Sequence, residues 1–279
     1  MNNAVVPSLS FIKMHGAEND YVFFDGFTGP LPQAPEFLAS RVCCRHADIG
    51  ADGIICMVPP VDDNCDVEMH IWNADGSPAT MCGNGARCIA VWMQREGRIA
   101  DTCRILTDGR VVTARAISHE NQSGWATVEM GRPEMLTSDE GQIIDLADST
   151  TVTVYRVRTG NPHAVVFTEE LSDRLVCTVG PQIEHHPDLP QRTNVEFVTV
   201  RNPNKLQMRV WERGSGETRA CGSGACAGVA AATVTGRIAR DQLCQVVLPG
   251  GSLDIFWRAE GEILLSGPVM IAFTGSLVE

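Results

Sequence analysis

Apolar and polar residues alternate along DVEMHIW (66–72) and LQMRVW (206–211), the two-residue period of a strand with one buried face. Each run ends on a Trp, and a polar, glycine-containing stretch that reads as a loop follows it. The period then breaks. Cys-Gly-x-Gly opens a small-residue or apolar segment that stops at Gly97 in one case and at Gly236 in the other. Glycine suits the left-handed position just past a helix end, so each segment predicts a helix of about three turns with a cysteine at its start. The second of these, ACAGVAAATV (225–234), is apolar or small all the way round, as a helix buried on every side is. Further strands are expected at YVFF, GIICMV, TVTVYRVRT, HAVVF, NVEFVTV, QVVL and SLDIFW. Residues 119–149 carry the weakest pattern and are expected to be the least structured, with a crossover among them.

The two patterned regions are copies. Both read Trp, nine residues, Cys-Gly-x-Gly-Ala, ten residues, Gly-Arg-Ile-Ala: one runs from Trp72 through Cys82 to GRIA at 97–100, the other from Trp211 through Cys221 to GRIA at 236–239. Three landmarks share one offset of 139 residues, which implies an internal duplication. The expected class is α+β, with two pseudo-symmetric lobes, each a strongly curved mixed β-sheet around a central helix. Residues 1–126 would form the N-terminal lobe, completed by 267–279, and residues 127–266 the C-terminal lobe. An open doubly wound sheet fits worse, because helix signals are too few to alternate with the strands.

A chain of 279 residues has room for two modest domains. Its net charge of −12 argues against a nucleic-acid partner, which needs clustered Lys and Arg. The longest apolar stretch, 226–234, is far short of the roughly 20 residues that span a membrane. The start, MNNAVVPSLSFIKMHG, lacks the basic end and apolar core of a signal peptide. Eleven cysteines, an odd number, suit buried small hydrophobes in a reducing cytoplasm. Lys13 and Lys205 are the only lysines, which leaves few candidates for a Schiff base with pyridoxal phosphate.

Cys82 and Cys221 ask for more than packing. Backbone N–H groups at a helix start lack partners, and the helix dipole adds positive charge there. A thiolate is favoured at such a place, and the glycines let an anion approach the backbone. If the lobes face each other across a cleft, one cysteine can take a proton from a carbon while the other returns one to the opposite face. Inversion of a stereocentre beside a carboxylate follows, with the carbanion stabilised by fixed dipoles instead of a cofactor.

The motifs KMHG..ND (13–20), NADGS (73–77), MCGNGARC (81–88), GNPH (160–163) and ERG.GET.ACGSGACA (212–227) resemble the diaminopimelate epimerase family over nearly the whole chain. The resemblance implies interconversion of L,L- and meso-diaminopimelate without cofactor or metal, in the supply of lysine and peptidoglycan precursors. It implies the two-lobed fold and, as partners, a small-molecule substrate and a second copy of the chain, through the carboxy-terminal strand near Phe273. By motif, Cys82 and Cys221 are the acid–base pair. Gly83, Asn84, Gly222 and Ser223 would hold the reacting carboxylate, while Asn19, Asn73, Asn161, Asn194, Glu212 and Arg213 match substrate contacts. His163 and Glu212 would tune the cysteines. A fork of two bonds from Arg213 suits a carboxylate, and Glu212 suits an ammonium.

Two positions depart from the family pattern. Glu18 stands where a glycine is common, so the Asn19 loop is expected to be shaped differently. Gly53 stands where some members carry a glutamine, so a contact there would have to come from the backbone. The enzymatic alternative is a cofactor-free racemase or dehydratase of proline-like substrates, whose members usually carry histidine where this chain has Asn84. A thiol redox or metal-binding protein is the non-enzymatic alternative. Cys82/Cys88 and Cys221/Cys226 lack C-x-x-C spacing, and Cys43-Cys44 with His46 makes no zinc pattern.

Overall fold

Twenty-three elements follow one another along a computed structural model that describes residues 8–118, 121–189 and 191–278. Residues 1–7, read above for a leader, and 119–120, in the expected crossover, lie outside the described residues. The first elements are β1 (Ser8–Gly16), β2 (Asn19–Asp25), α1 (Pro35–Val42), β3 (Gly53–Val58), β4 (Val67–Asn73), β5 (Pro78–Ala79) and α2 (Gly83–Arg95). They continue with β6 (Thr102–Thr107), β7 (Arg110–Ser118), β8 (Ser123–Glu129), β9 (Glu134–Met135), β10 (Gln142–Asp145), β11 (Thr151–Thr159) and β12 (Asn161–Phe167). A π turn (Leu175–Val179) leads into α3 (Gly180–Glu184). The last are β13 (Asn194–Asn202), β14 (Lys205–Glu212), β15 (Gly216–Thr218), α4 (Gly222–Val234), β16 (Leu243–Leu248), β17 (Gly251–Trp257) and β18 (Ile263–Val278).

The chain divides into two compact units. The first takes the chain up to Gly16, Asp20–Val128, and everything from Pro268 onward; the second takes Ala17–Asn19 and Glu129–Gly267. In the first, β2 runs parallel to β3, β3 antiparallel to β4, β4 parallel to β6, and β7 follows antiparallel. β8 pairs with β7 and with β18, and β18 pairs antiparallel with β1, which closes the sheet on itself through β2. The second unit repeats the scheme: β12 parallel to β13, β13 antiparallel to β14, β14 parallel to β16, then β17 and β18 antiparallel. Mixed pairing in the same order is the structural form of the duplication.

Each sheet curls around its long helix. α2 packs against β1, β6 and β7, and α4 against β11, β12, β13, β14, β16 and β17. In α4, Ala225–Ala232 is continuously buried, as its all-round small and apolar composition requires. β3 is likewise buried on both faces, as strands in parallel pairing are, which explains the unbroken run GIICMV. The far end of α2 is tied to β2 by Asp25, which accepts from Trp92 Nε1 and Arg98 Nη1, each at 3.0 Å. Among the described residues, no helix is long and apolar enough to cross a membrane.

Residues 121–149 are more ordered than their pattern suggests. They hold β8, β9 and β10, and β8 buries Gly124, Ala126 and Val128 in strict alternation. Small residues fill that face, so the hydrophobic signal is faint although the period of two is intact. The chain passes from the first unit to the second between Val128 and Glu129.

Candidate active site

Cys82 and Cys221 are N-caps of helices of thirteen residues each, and both have extended backbone (φ −137°, ψ 108° and φ −125°, ψ 112°). An extended cap turns its side chain back over the first turn, where the free N–H groups are. Gly85 N–H donates to Cys82 Sγ at 3.2 Å and Gly224 N–H to Cys221 Sγ at 3.4 Å. Cys82 is half-buried and Cys221 is buried. Burial, and then the Glu212 and Glu196 carboxylates, push the Cys221 thiol well above its usual range; the Ser223 hydroxyl and the Gly224 N–H pull it down by less. These influences favour the thiol form of Cys221, the form that can give up a proton.

In the first unit, the expected site residues besides Cys82 are Gly83, Asn84, Gly53 and Asn73. Gly83 and Asn84 are buried in the opening turn of α2. Asn73 ends β4 opposite Gly53 of β3, and its turn is locked: its N–H donates to Ser77 O at 2.8 Å and its Nδ2 to Ser77 Oγ at 3.0 Å. Asp75 accepts from the Ser77 hydroxyl and N–H, which holds its carboxyl below the usual range. Gly76 has φ +84°, and a Cβ there would lie 2.5 Å from Glu36 O, so only glycine fits the turn. Gly53 has no room either: a Cβ would meet Trp72 O at 2.3 Å and Tyr21 Cε1 at 2.9 Å. The Tyr21 ring lies beside the position that could otherwise bear a side chain.

In the second unit, the expected site residues besides Cys221 are Gly222, Ser223, Asn161, His163, Asn194, Glu212 and Arg213; of these, Ser223 and Glu212 act on the Cys221 sulfur. Glu212 ends β14 one residue beyond the Trp211–Val195 pair with β13 and pairs with Gly216 of β15. Asn194 is buried, and its Oδ1 accepts from Arg213 N–H at 2.8 Å. Glu212 Oε1 accepts from the Thr218 hydroxyl, and Arg213 Nη1 donates to Gln191 O at 3.2 Å. Thr159 Oγ1 donates to Ser223 O at 3.1 Å, tying the α4 turn to β11. Asn19, at the start of β2, clusters with this unit and is buried. Ala17 and Glu18 before it are both left-handed (φ 54° and 60°), and Glu18 pairs with Arg219. A glycine would take that backbone freely, whereas Glu18 holds it with an ion pair.

Two supporting residues, Glu184 and Glu196, lie outside every motif quoted above, and a third, Asp20, closes the first of them. Glu184 is buried on α3; its Oε2 accepts from Trp211 Nε1 and its Oε1 from Gly214 N–H, both at 2.8 Å, and it pairs with Arg192. Burial raises its pKa, but Trp211, Gly214 and Arg192 outweigh that and leave it lowered. It thereby fixes both sides of the Glu212–Arg213 turn. Asp20, next to Asn19, lies 2.6 Å from both Lys13 Nζ and Arg45 Nη2. Glu196 lies on β13, fully buried against His163. Its one sequence signal is a charge inside the otherwise apolar NVEFVTV.

A family model described as diaminopimelate epimerase matches residues 11–136 and 155–271. A diaminopimelate epimerase of Gloeothece citriformis is 40% identical over 96% of this chain and 98% of its own. That of Halothermothrix orenii is 39% identical over 97% and 98%. Among solved structures, a hydroxyproline epimerase from Agrobacterium vitis with bound trans-4-hydroxy-L-proline has a TM-score of 0.74 at 14% identity, covering 97% of this chain and 92% of its own. A predicted epimerase from Pseudomonas aeruginosa has 0.73 at 15% identity, covering 97% and 99%. At such identities these two share the fold.

Proposed function

The chain belongs to the diaminopimelate epimerase family, and from that premise we propose that Cys82 and Cys221 are the two acid–base groups of its reaction. The protein is an isomerase that interconverts L,L- and meso-diaminopimelate. One observation carries the assignment: two cysteines, and no other residue type, cap the two duplicated helices with a backbone N–H on each sulfur.

The mechanism follows from those caps. The backbone N–H groups of Gly83 and Asn84, and of Gly222 and Ser223, bind the α-carboxylate and spread the charge that builds up on it as the α-proton leaves. Cys221, held as a thiol, starts as proton donor, and Cys82 as acceptor; the return reaction exchanges their roles. The reading requires the two sulfurs to stand on opposite faces of one α-carbon. Arg213, Asn194, Asn73, Asn161 and Asn19 bind the distal amino-acid end with Glu212, and Gly53 contributes its backbone alone. Side-chain amides suit this task because they both donate and accept. The enzyme works in the cytoplasm, where a reducing pool keeps both cysteines from oxidising, and it works as a homodimer joined at the strand bearing Phe273.

Purified protein in deuterated water, with no cofactor or metal added, is expected to invert diaminopimelate and to place solvent deuterium at the inverted α-carbon. Cys82→Ala and Cys221→Ala are each expected to slow inversion by about 10²–10⁴-fold, the usual weight of one acid–base group, with the circular dichroism spectrum unchanged. A variant that kept most of the activity would exclude the two-cysteine mechanism.

A further inference from the structure

Each position at the head of α4 has a counterpart at the head of α2, and one pair differs in kind. In the first unit Tyr21 on β2 stands opposite Gly53 on β3; in the second, His163 on β12 stands opposite Asn194 on β13. Two residues further along β3 and β13 come Ile55 and Glu196. Both lie against the equivalent glycine of their helix. A Cβ on Gly85 would lie 2.5 Å from Ile55 Cδ1, and one on Gly224 would lie 2.6 Å from Glu196 Oε1. These are the glycines whose N–H groups bind Cys82 and Cys221. The fold backs one cysteine turn with a methyl group and the other with a carboxylate.

Packing does not ask for that carboxylate. Glu196 is fully buried, and its Oε2 has no hydrogen-bond partner. A buried charge with one oxygen unmatched costs stability, and Ile55 shows that the same framework closes without it. What Glu196 holds is His163: Oε1 lies 2.7 Å from Nδ1, with both side chains out of solvent. A carboxylate only accepts, so Nδ1–H donates to Oε1, and on the other side of the ring the Asn161 side-chain amide lies 2.9 Å from Nε2, where its NH2 group can donate to the ring. The ring is fixed at both nitrogens, and with it the Asn161 amide.

We infer that Glu196 is a positioning residue of the epimerisation, which orients His163 and Asn161 and makes the turn under Cys221 electrostatically unlike the turn under Cys82. The inference rests on the two-cysteine reading given above. The titratable groups facing Cys221 are Glu212 on β14 and Glu196 on β13, with His163 on β12 behind Glu196. Both carboxylates raise its pKa, and the positions that match them in the first unit are held by Asn73 and Ile55.

The test compares full-length wild type with Glu196→Gln, which keeps shape and removes charge, and with Glu196→Ile, which installs the first unit's residue. Turnover of diaminopimelate, melting temperature, and the pH dependence of Cys221 alkylation by iodoacetamide are measured. Fragmentation of the tryptic peptide 220–237 separates Cys221 from Cys226. Glu196→Gln is expected to melt near wild type and Glu196→Ile somewhat lower, because the buried His163 Nδ1–H loses its acceptor, and both are expected to lose about tenfold or more in kcat. The alkylation midpoint of Cys221 is expected to fall by about one pH unit, as removal of a nearby like charge requires. An unchanged midpoint, or activity lost only in step with melting temperature, would overturn the role of Glu196. A wild type inactive on diaminopimelate would instead count against the two-cysteine reading, and the midpoint would still decide the inference.

Discussion

Asp20 shows how a single charged residue braces a substrate loop. Its carboxylate is 14% exposed, between a Lys13 side chain that is 8% exposed and the Arg45 guanidinium, and its N–H donates to Asp52. Burial alone would raise its pKa; the Arg45 and Lys13 bonds outweigh this and hold it below 3.8. The stabilisation is therefore complete above the ordinary carboxylate pKa and fades only as pH falls through the lower folded value. Asp20→Asn would strand the buried ammonium of Lys13. It is expected to cost about 3 kcal/mol in chemical denaturation at pH 7, the scale for breaking a buried pair, with a smaller deficit below pH 4 as the wild type loses the same charge. Such bracing is hard to read from residues alone. Cys82 and Cys221 were legible because a cap and its glycines lie within four residues of one another. Lys13, Arg45 and Asp52 meet Asp20 only through the fold, and Glu184 and Glu196 reach their partners in the same way.

Helix ends repeat as faithfully as helix starts. Gly97 and Gly236 are left-handed at φ 68° and 70°. Gly97 N–H donates to Gln94 O and Arg98 N–H to Met93 O, matched by Gly236 to Thr233 O and Arg237 to Ala232 O. Nothing stands within 4 Å of a Cβ at either glycine, so a methyl would meet backbone strain and no clash. Gly97→Ala and Gly236→Ala are each expected to cost about 1 kcal/mol, to add in the double variant, and to leave kcat unchanged, since both lie a whole helix away from the sulfurs. A loss in one variant several times that in the other would show that the two helices are not energetic equivalents. Both helices and the strands before them were legible because period and punctuation agree there. β8 was not, since Gly124 and Ala126 bury too little apolar surface to raise the signal, and β9, two residues long, is too short to show a period.

At the scale of the molecule, the surface of β18 bears on assembly. Phe273 is 47% exposed, edge-on to Phe11 across the β1–β18 pair, and Met270 is 39% exposed on the same strand. Apolar side chains so exposed on one strand suit burial by a second copy. Light scattering is expected to give a dimer for wild type and a monomer for Phe273→Glu; a monomeric wild type would remove the dimer from the account. The duplication made this level legible, because a repeat with one offset announces two like units before any strand is placed.

The pairing of Ser8 with Val278 also sets an order of events. A ribosome delivers the chain from its first residue, yet the unit that begins it lacks a closing strand until Pro268 and the residues after it have emerged. The second unit has all of Glu129–Gly267 in hand earlier. The half that is started first is thus finished last, and β1 waits through most of synthesis for its neighbour.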